Sequence, residues 1–330
     1  MTVTLTPSRT PVHPVYAAAF EANKKGPAFD PSDCTEYRAM ANKRLNGIQL
    51  PEVIEKDMVV TMGEKTNIKV TLMRPIGTEN ELLPAVVFFF GGGWVSGSKH
   101  THGKLVRDIC VKANVAIIFP EHSLAPDVKF PTIHEECYST VCWALENGHG
   151  IGIDPTMLAV CGDSAGGNVA AVVCQMAKER QHFDIKNIKS QILIYPSTSP
   201  CGRSSTDFPS FTEFGGGDYD LSIEEVYIME HAYNDNKPEA KMSNHMSPIL
   251  ASVEDLKGLP PALVLTAEAD VLRDEAEAYA RKLTKAGVDT ACVRVIGATH
   301  GYMNNPIETS LYTQSMAMIK YQLDKAFDRL

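Results

Sequence analysis

Leu158-Ala159-Val160-Cys161-Gly162-Asp163-Ser164-Ala165-Gly166-Gly167-Asn168-Val169 decides the fold. A short apolar run ends in G-x-S-x-G, and a helix-length stretch from Val169 to Lys178 comes at once after it. That strand–turn–helix context presents a serine on a sharp turn. The turn strains the backbone, and Gly162, Ala165 and Gly166 leave room around it. The helix N-terminus aims free N–H groups at negative charge that develops nearby. A glycine-rich turn without chemistry is the alternative, and the satisfied context favours a nucleophile.

The same pattern repeats outward along the chain. Ala85 to Phe90, Val115 to Phe119, Leu158 to Cys161, Gln191 to Tyr195, Ala262 to Thr266 and Ala291 to Val295 read as buried strands. Helix-length segments separate them, which predicts a mostly parallel sheet covered on both faces. Asp57 to Met62 and Ile68 to Met73, flanking Gly63-Glu-Lys-Thr-Asn67, add an antiparallel hairpin and bring the count to eight. Ahead of them, Val15, Tyr16, Ala19 and Phe20 suit a short helix. Asp33 is placed to cap a second one carrying Tyr37, Met40, Ala41 and Leu45. From Pro196 to about Asn244 the strand pattern stops, apart from a helical Leu221 to Tyr233. An insertion of that size is expected to be a lid. The expected division is residues 1–54 as N-terminal cap helices, 55–199 and 246–330 as the α/β core, and 200–245 as a cap insertion.

The chain has 330 residues, a length that would allow two domains in series. Lys+Arg number 31 against 40 Asp+Glu, a net charge of -9, which argues against a nucleic-acid partner. None of the eight cysteines has CxxC spacing, so neither a zinc nor a redox motif is signalled. Several sit in apolar runs, as reduced core thiols of a cytoplasmic protein would. Met1 to Pro11 lacks an apolar signal core. The longest near-apolar run, Pro84 to Val95, is too short for membrane insertion.

A nucleophilic serine needs oxyanion donors, a base and an acid that orients the base. Phe90-Gly91-Gly92-Gly93-Trp94 succeeds a strand, and its glycines let backbone N–H groups approach a substrate oxygen. The Gly91, Gly93 and Gly97 spacing, with Glu121 closing the next strand, partly mimics a dinucleotide site; the serine turn downstream tips it toward acyl chemistry. Of four histidines after Ser164, His300 in Gly297-Ala-Thr-His-Gly301 lies just past the last strand, whereas His182, His231 and His245 do not. Asp270, just past the strand Ala262 to Thr266, is preferred as the acid over Asp274, which falls inside a helix from Leu272 to Lys285. Trp94 is a candidate pocket residue, with core packing as the alternative. Asp163 is a candidate substrate contact, with a local hydrogen bond as the alternative. His100-Thr-His102 and His134-Glu-Glu136 do not fit a metal motif and read as solvated polar residues, so neither a metal nor a cofactor is expected.

Phe90-Gly-Gly-Gly-Trp94, Gly162-Asp-Ser-Ala-Gly-Gly-Asn168, Asp270-Val-Leu-Arg-Asp274 and His300-Gly301 together resemble the hormone-sensitive-lipase family of esterases, bacterial family IV. Glu121-His-Ser-Leu-Ala-Pro126 with Phe130-Pro131 is similar to it as well. The resemblance implies an α/β-hydrolase fold with a mostly parallel eight-stranded sheet and a helical cap. It implies Ser164 as nucleophile, Asp270 as orienting acid and His300 as base, with the Gly92, Gly93 and Ala165 amides as the oxyanion hole. It implies short- to medium-chain acyl esters as substrates, no cofactor, and possible homodimers through a sheet edge. Amide hydrolysis, deacetylation or acyl transfer would use the same residues. A non-hydrolytic receptor of the family would lack the base, which His300 supplies here. Two positions depart from the family pattern: Phe90 stands where a loop-bracing His is usual, and Val271 where Pro often succeeds the acid.

Overall fold

β1 (Ile54–Met62), β2 (Thr66–Arg74), β3 (Leu83–Phe89), β4 (Ala116–Pro120), β5 (Ile153–Asp163), β6 (Ile188–Ile194), β7 (Ala262–Ala269) and β8 (Thr290–Thr299) form one sheet in the order β1-β2-β4-β3-β5-β6-β7-β8. The computed structural model describes residues 10–23, 30, 32–62, 66–200, 202 and 206–330. β2 runs antiparallel to β1 and to β4, and every other neighbouring pair is parallel. The predicted hairpin turn at 63–65, the N-terminal residues 1–9 and Cys201 lie outside the described residues.

Helices α1 (Pro14–Asn23) and α2 (Thr35–Ala41) precede the sheet. The crossovers from β3 through β6 are α3 (Lys99–Ala113), α4 (Thr132–Asn147) and α5 (Ala165–Arg180). The insertion after β6 carries α6 (Ser210–Phe214), α7 (Ile223–Asn234) and α8 (Pro238–Lys241), and α9 (Val253–Leu256) leads to β7. Last come α10 (Arg273–Lys285) and α11 (Ser310–Ala326).

Strand alternation sorts the core into two layers. Ala85, Val87 and Phe89 pack with Val141 of α4, Val172 of α5 and Leu283 of α10. Val86 and Phe88, between them in sequence, pack with Ile109 of α3 and Ile319 of α11. Burial on both faces is why β3 reads as an unbroken apolar run. The insertion is anchored through Phe211 and Val226 on Val271 and Leu272, beside Asp270. The N-terminal segment is tied to the last strand and to the last helix. His13 N–H donates to Gly297 O at 2.8 Å, and the Tyr16 and Thr309 hydroxyls share a 2.6 Å hydrogen bond.

One local expectation is corrected. Asp33 does not cap α2: the N-cap is Cys34, and Asp33 Oδ1 accepts from Thr35 N–H in an Asx turn instead. The helix stops at Ala41, and Leu45 is buried from the turns beyond it rather than from a helix face.

Parallel strands all end on one edge of a sheet, so the loops leaving them gather at that edge. β3 runs into the Gly91–Gly93 loop, β5 into Ser164, β7 into Asp270 and β8 into His300. Residues more than two hundred positions apart thereby meet at one rim.

Candidate active site

Ser164 occupies the turn between β5 and α5 at φ 55° and ψ -119°, a region that side-chain-bearing residues avoid. Surroundings hold it there. Its N–H donates to Ile194 O at 2.8 Å, and its carbonyl accepts from Asn168 N–H and Ser197 N–H. A side chain on Gly166 would collide with the Phe89 backbone, so only glycine lets β3 pass this close under α5.

His300 bridges the other two groups. Its Nε2 lies 2.8 Å from Ser164 Oγ, and its Nδ1 lies 2.8 Å from Asp270 Oδ2. With the proton on Nδ1 donating to the carboxylate, Nε2 is left to accept the serine proton. Asp270 is buried, and its second oxygen accepts from Leu272 N–H at 2.9 Å, which fixes the carboxylate plane. Burial of His300 works against the imidazolium. The Asp270 carboxylate beside it, with Asp163 and Asp220 further out, outweighs that and holds its pKa above the ordinary value.

The glycine loop turns under Gly92 O, which accepts from Val95 N–H, Ser96 N–H and the Ser96 hydroxyl. Gly92 and Gly93 have φ of 110° and 63°, and no internal acceptor takes their amides or that of Ala165 among the described residues. Gly93 also needs to be bare for a second reason: a Cβ there would strike the Met229 sulfur of α7. Phe90, at the position of the usual histidine, makes no hydrogen bond through its ring but stacks on the His122 ring at 3.8 Å and 13°. The buried His122 is neutral by desolvation, its pKa lowered to about 4. Gly97, part of the dinucleotide-like spacing, is bare because a side chain there would enter the Phe90 ring; local packing accounts for it.

Two sequence candidates both border the cavity, each also held from within. Asp163 is 2% exposed, and both of its oxygens accept from internal donors, Gly91 N–H at 2.9 Å and Asn304 Nδ2 at 2.7 Å. Trp94 is both things at once. It lines the cavity, and it is buried and stacked on Tyr233 at 5.7 Å. His102, His134 and Glu136 are buried rather than solvated, each with a hydrogen-bond partner: Asp163, Asn168 and Ser123 respectively. Among the described residues no cluster of three His, Cys, Asp or Glu side chains is set to hold a metal ion.

Above the serine lies a cavity of about 810 Å³. Its floor is the triad rim and glycine loop. Its walls come from Tyr16, Ala19 and Tyr37 of the N-terminal segment and from Leu221, Val226 and Met229 of the insertion. Sequence reasoning missed Asn304 and Met229, and it took His102 for a solvated residue. None of them stands at a fixed spacing from the serine motif, so no local pattern marks them.

A family model described as the α/β-hydrolase fold matches residues 86–304. One of two fungal esterases from Rhizomucor miehei superposes with a TM-score of 0.91 at 44% identity, over 98% of this chain and 99% of that one. A thermostable esterase from Pseudomonas putida ECU1011 has a TM-score of 0.88 at 33% identity, over 96% and 98%. Carboxylesterase NlhH of Mycobacterium tuberculosis is 34% identical over 259 residues, 77% of each chain. Among the described residues no helix is long and apolar enough to cross a membrane.

Proposed function

The chain belongs to the α/β-hydrolase family, in its hormone-sensitive-lipase-like group of esterases, and on that premise we propose that it hydrolyses short- to medium-chain acyl esters through an acyl-enzyme. The observation that carries the reading is the continuous relay from Ser164 Oγ through His300 to Asp270, both links at 2.8 Å. His300 takes the serine proton as Oγ attacks the ester carbonyl. The Gly92, Gly93 and Ala165 amides receive the oxyanion, each such donor typically lowering the barrier by about 3 kcal/mol. Asp270 keeps the imidazole in the productive tautomer and stabilises the transient cation. The alcohol leaves with the proton from His300, and water repeats the cycle on the acyl-serine.

Residues 1–54 and 200–245 act in this reading as one two-piece lid, supported by their shared contribution to the cavity walls. The mostly apolar wall of Leu221, Val226 and Leu272 suits an acyl chain. A cytoplasmic setting is supported by the buried thiols of Cys110, Cys137, Cys161 and Cys174. A homodimer would use the open edge at β8, where Ile296 is 64% exposed.

The test is turnover of p-nitrophenyl esters from C2 to C16 by the wild type and by Ser164→Ala. A maximum at short to medium chains, with the variant slower by about 10⁵-fold or more, is expected. Undiminished turnover by Ser164→Ala would sink the nucleophile assignment, and a maximum at C16 would sink the chain-length assignment.

A further inference from the structure

We propose that Asp163 is a positioning residue, a buried clamp that fixes the oxyanion loop and the histidine loop to the nucleophile. The inference rests on the esterase reading and deepens it. Asp163 is the residue next to Ser164, at the end of β5. Its Oδ1 accepts from Gly91 N–H at 2.9 Å, the first glycine of the oxyanion loop. Its Oδ2 accepts from Asn304 Nδ2 at 2.7 Å, in the turn just past His300. His102 of α3 completes the cluster, with Nε2 3.1 Å from Oδ1 and 3.1 Å from Asn304 Nδ2, and Nδ1 2.6 Å from the Thr101 hydroxyl. His102 and Asn304 are 4% and 9% exposed.

A carboxylate stripped of water this completely is costly unless its partners hold the charge. Burial pushes the Asp163 pKa up, but His102, Gly91 N–H and Asn304 outweigh it and keep the carboxylate ionised. That charge ties together three chain segments on whose relative placement the reaction depends. Gly91 is one peptide unit from the Gly92 amide, so an anchor on its N–H orients the donors beyond it. The loop lacks a polar anchor from the Phe90 side chain, whose ring only stacks on His122. There is no slack at the contact: a Cβ on Gly91 would lie 2.6 Å from Asp163 O and 2.8 Å from Oδ2. Misplacement of donors by an ångström costs about 10²-fold in rate.

The experiment compares Asp163→Ala, Asp163→Asn and Asn304→Ala with wild type and Ser164→Ala. It reads kcat and KM on p-nitrophenyl butyrate, inhibition by an alkyl trifluoromethyl ketone, which forms a tetrahedral serine adduct, and thermal melting. For Asp163→Ala, kcat is expected to fall about 10²-fold while KM stays within about threefold. Asn304→Ala should lose about tenfold in kcat, and ketone affinity should fall in step with kcat for both. Asp163→Asn should recover part of the loss. Its carbonyl can still accept from Gly91, and Asn304 Oδ1, which has no partner among the described residues, can turn to accept the new amide. Cooperatively melting Asp163→Ala and Asn304→Ala proteins with kcat within about twofold of wild type would overturn the clamp, as would losses confined to KM. If Asp163→Ala does not fold, Asn304→Ala decides by the same criteria, since it leaves the Gly91 bond in place. An active Ser164→Ala would overturn the esterase reading itself, whereas an inactive one beside full-rate clamp variants overturns only the clamp.

Discussion

In the proposed mechanism His300 carries the pH dependence of the site. Only its neutral form can take the serine proton, so kcat/KM should fall on the acid side as the imidazole charges. Because Asp270, Asp163 and Asp220 favour the charged form more than burial disfavours it, the midpoint of that limb should lie above 6.5, the ordinary value. Asp220→Asn removes one of the negative charges, so the limb should move to lower pH; a profile from pH 5 to 9 measures it, and an upward move would contradict the electrostatic account. Ser164, Asp270 and His300 were legible in the sequence because an elbow has a strand before it and a helix after it, and because the partners come in a known order at strand ends. The Asp163 cluster was not. His102 is 61 residues from Asp163 and Asn304 is 141 away, and a hydrogen bond across such gaps leaves no periodicity to read. Asp163 itself was visible beside the nucleophile, but the groups its oxygens meet, Gly91 N–H and Asn304 Nδ2, come from distant segments.

Elements are joined at the site by a few polar side chains and one close packing contact. Asn168, on the first turn of α5, has Oδ1 2.9 Å from His134 Nε2 of α4 and donates Nδ2 to Ser197 O and Met246 O at 2.8 and 2.9 Å. His134 in turn meets the Tyr233 hydroxyl of α7 at 3.0 Å. Asn168→Ala strands these buried groups and should cost about 2–4 kcal/mol, read by urea unfolding; a change under about 0.5 kcal/mol would mean that the network is not structural. Gly93→Ala sets a methyl group against Met229 and strains a positive φ. It should lower kcat by about tenfold or more, because the oxyanion donor moves with the loop. Gly93→Ala combined with Met229→Ala should recover part of that loss if the collision contributes, and none if strain alone acts. At this scale the sequence located every strand: the inner ones as apolar runs covered on both faces, β1 and β2 as a hairpin pattern, and the edge strand β8 as a short β-branched run. It placed the end of α2 too far along, because Leu45 has the helical spacing but reaches the interior from a turn.

Across the whole molecule, two buried histidines set an acid limit. His122 and His134 are kept neutral by desolvation, with pKa values lowered to about 4. In the unfolded chain they would charge near 6.5, so the stability they contribute is complete above that value and is lost as pH falls toward 4. Each shift corresponds to something on the order of 3 kcal/mol. His300, whose pKa is raised, works in the opposite sense, adding stability below the unfolded value and losing it as pH rises through the folded one. Melting temperature should therefore drop steeply between about pH 6 and 4, and His134→Gln should flatten the drop; an unchanged slope would count against the assignment. The length of the chain had allowed two domains in series, but the single sheet of eight strands absorbs the core into one unit. The sequence could not convey how the N-terminal segment and the insertion meet, because their contacts depend on side chains that share no local pattern. Met229 resting on Gly93 gives that meeting a practical edge. An insertion transplanted from a related enzyme would bring its own residue to the spot above the glycine loop, so exchanging insertions to change substrate should also retune the rate constant. Chimeras of this protein should therefore be built with α7 and the glycine loop inherited from the same parent.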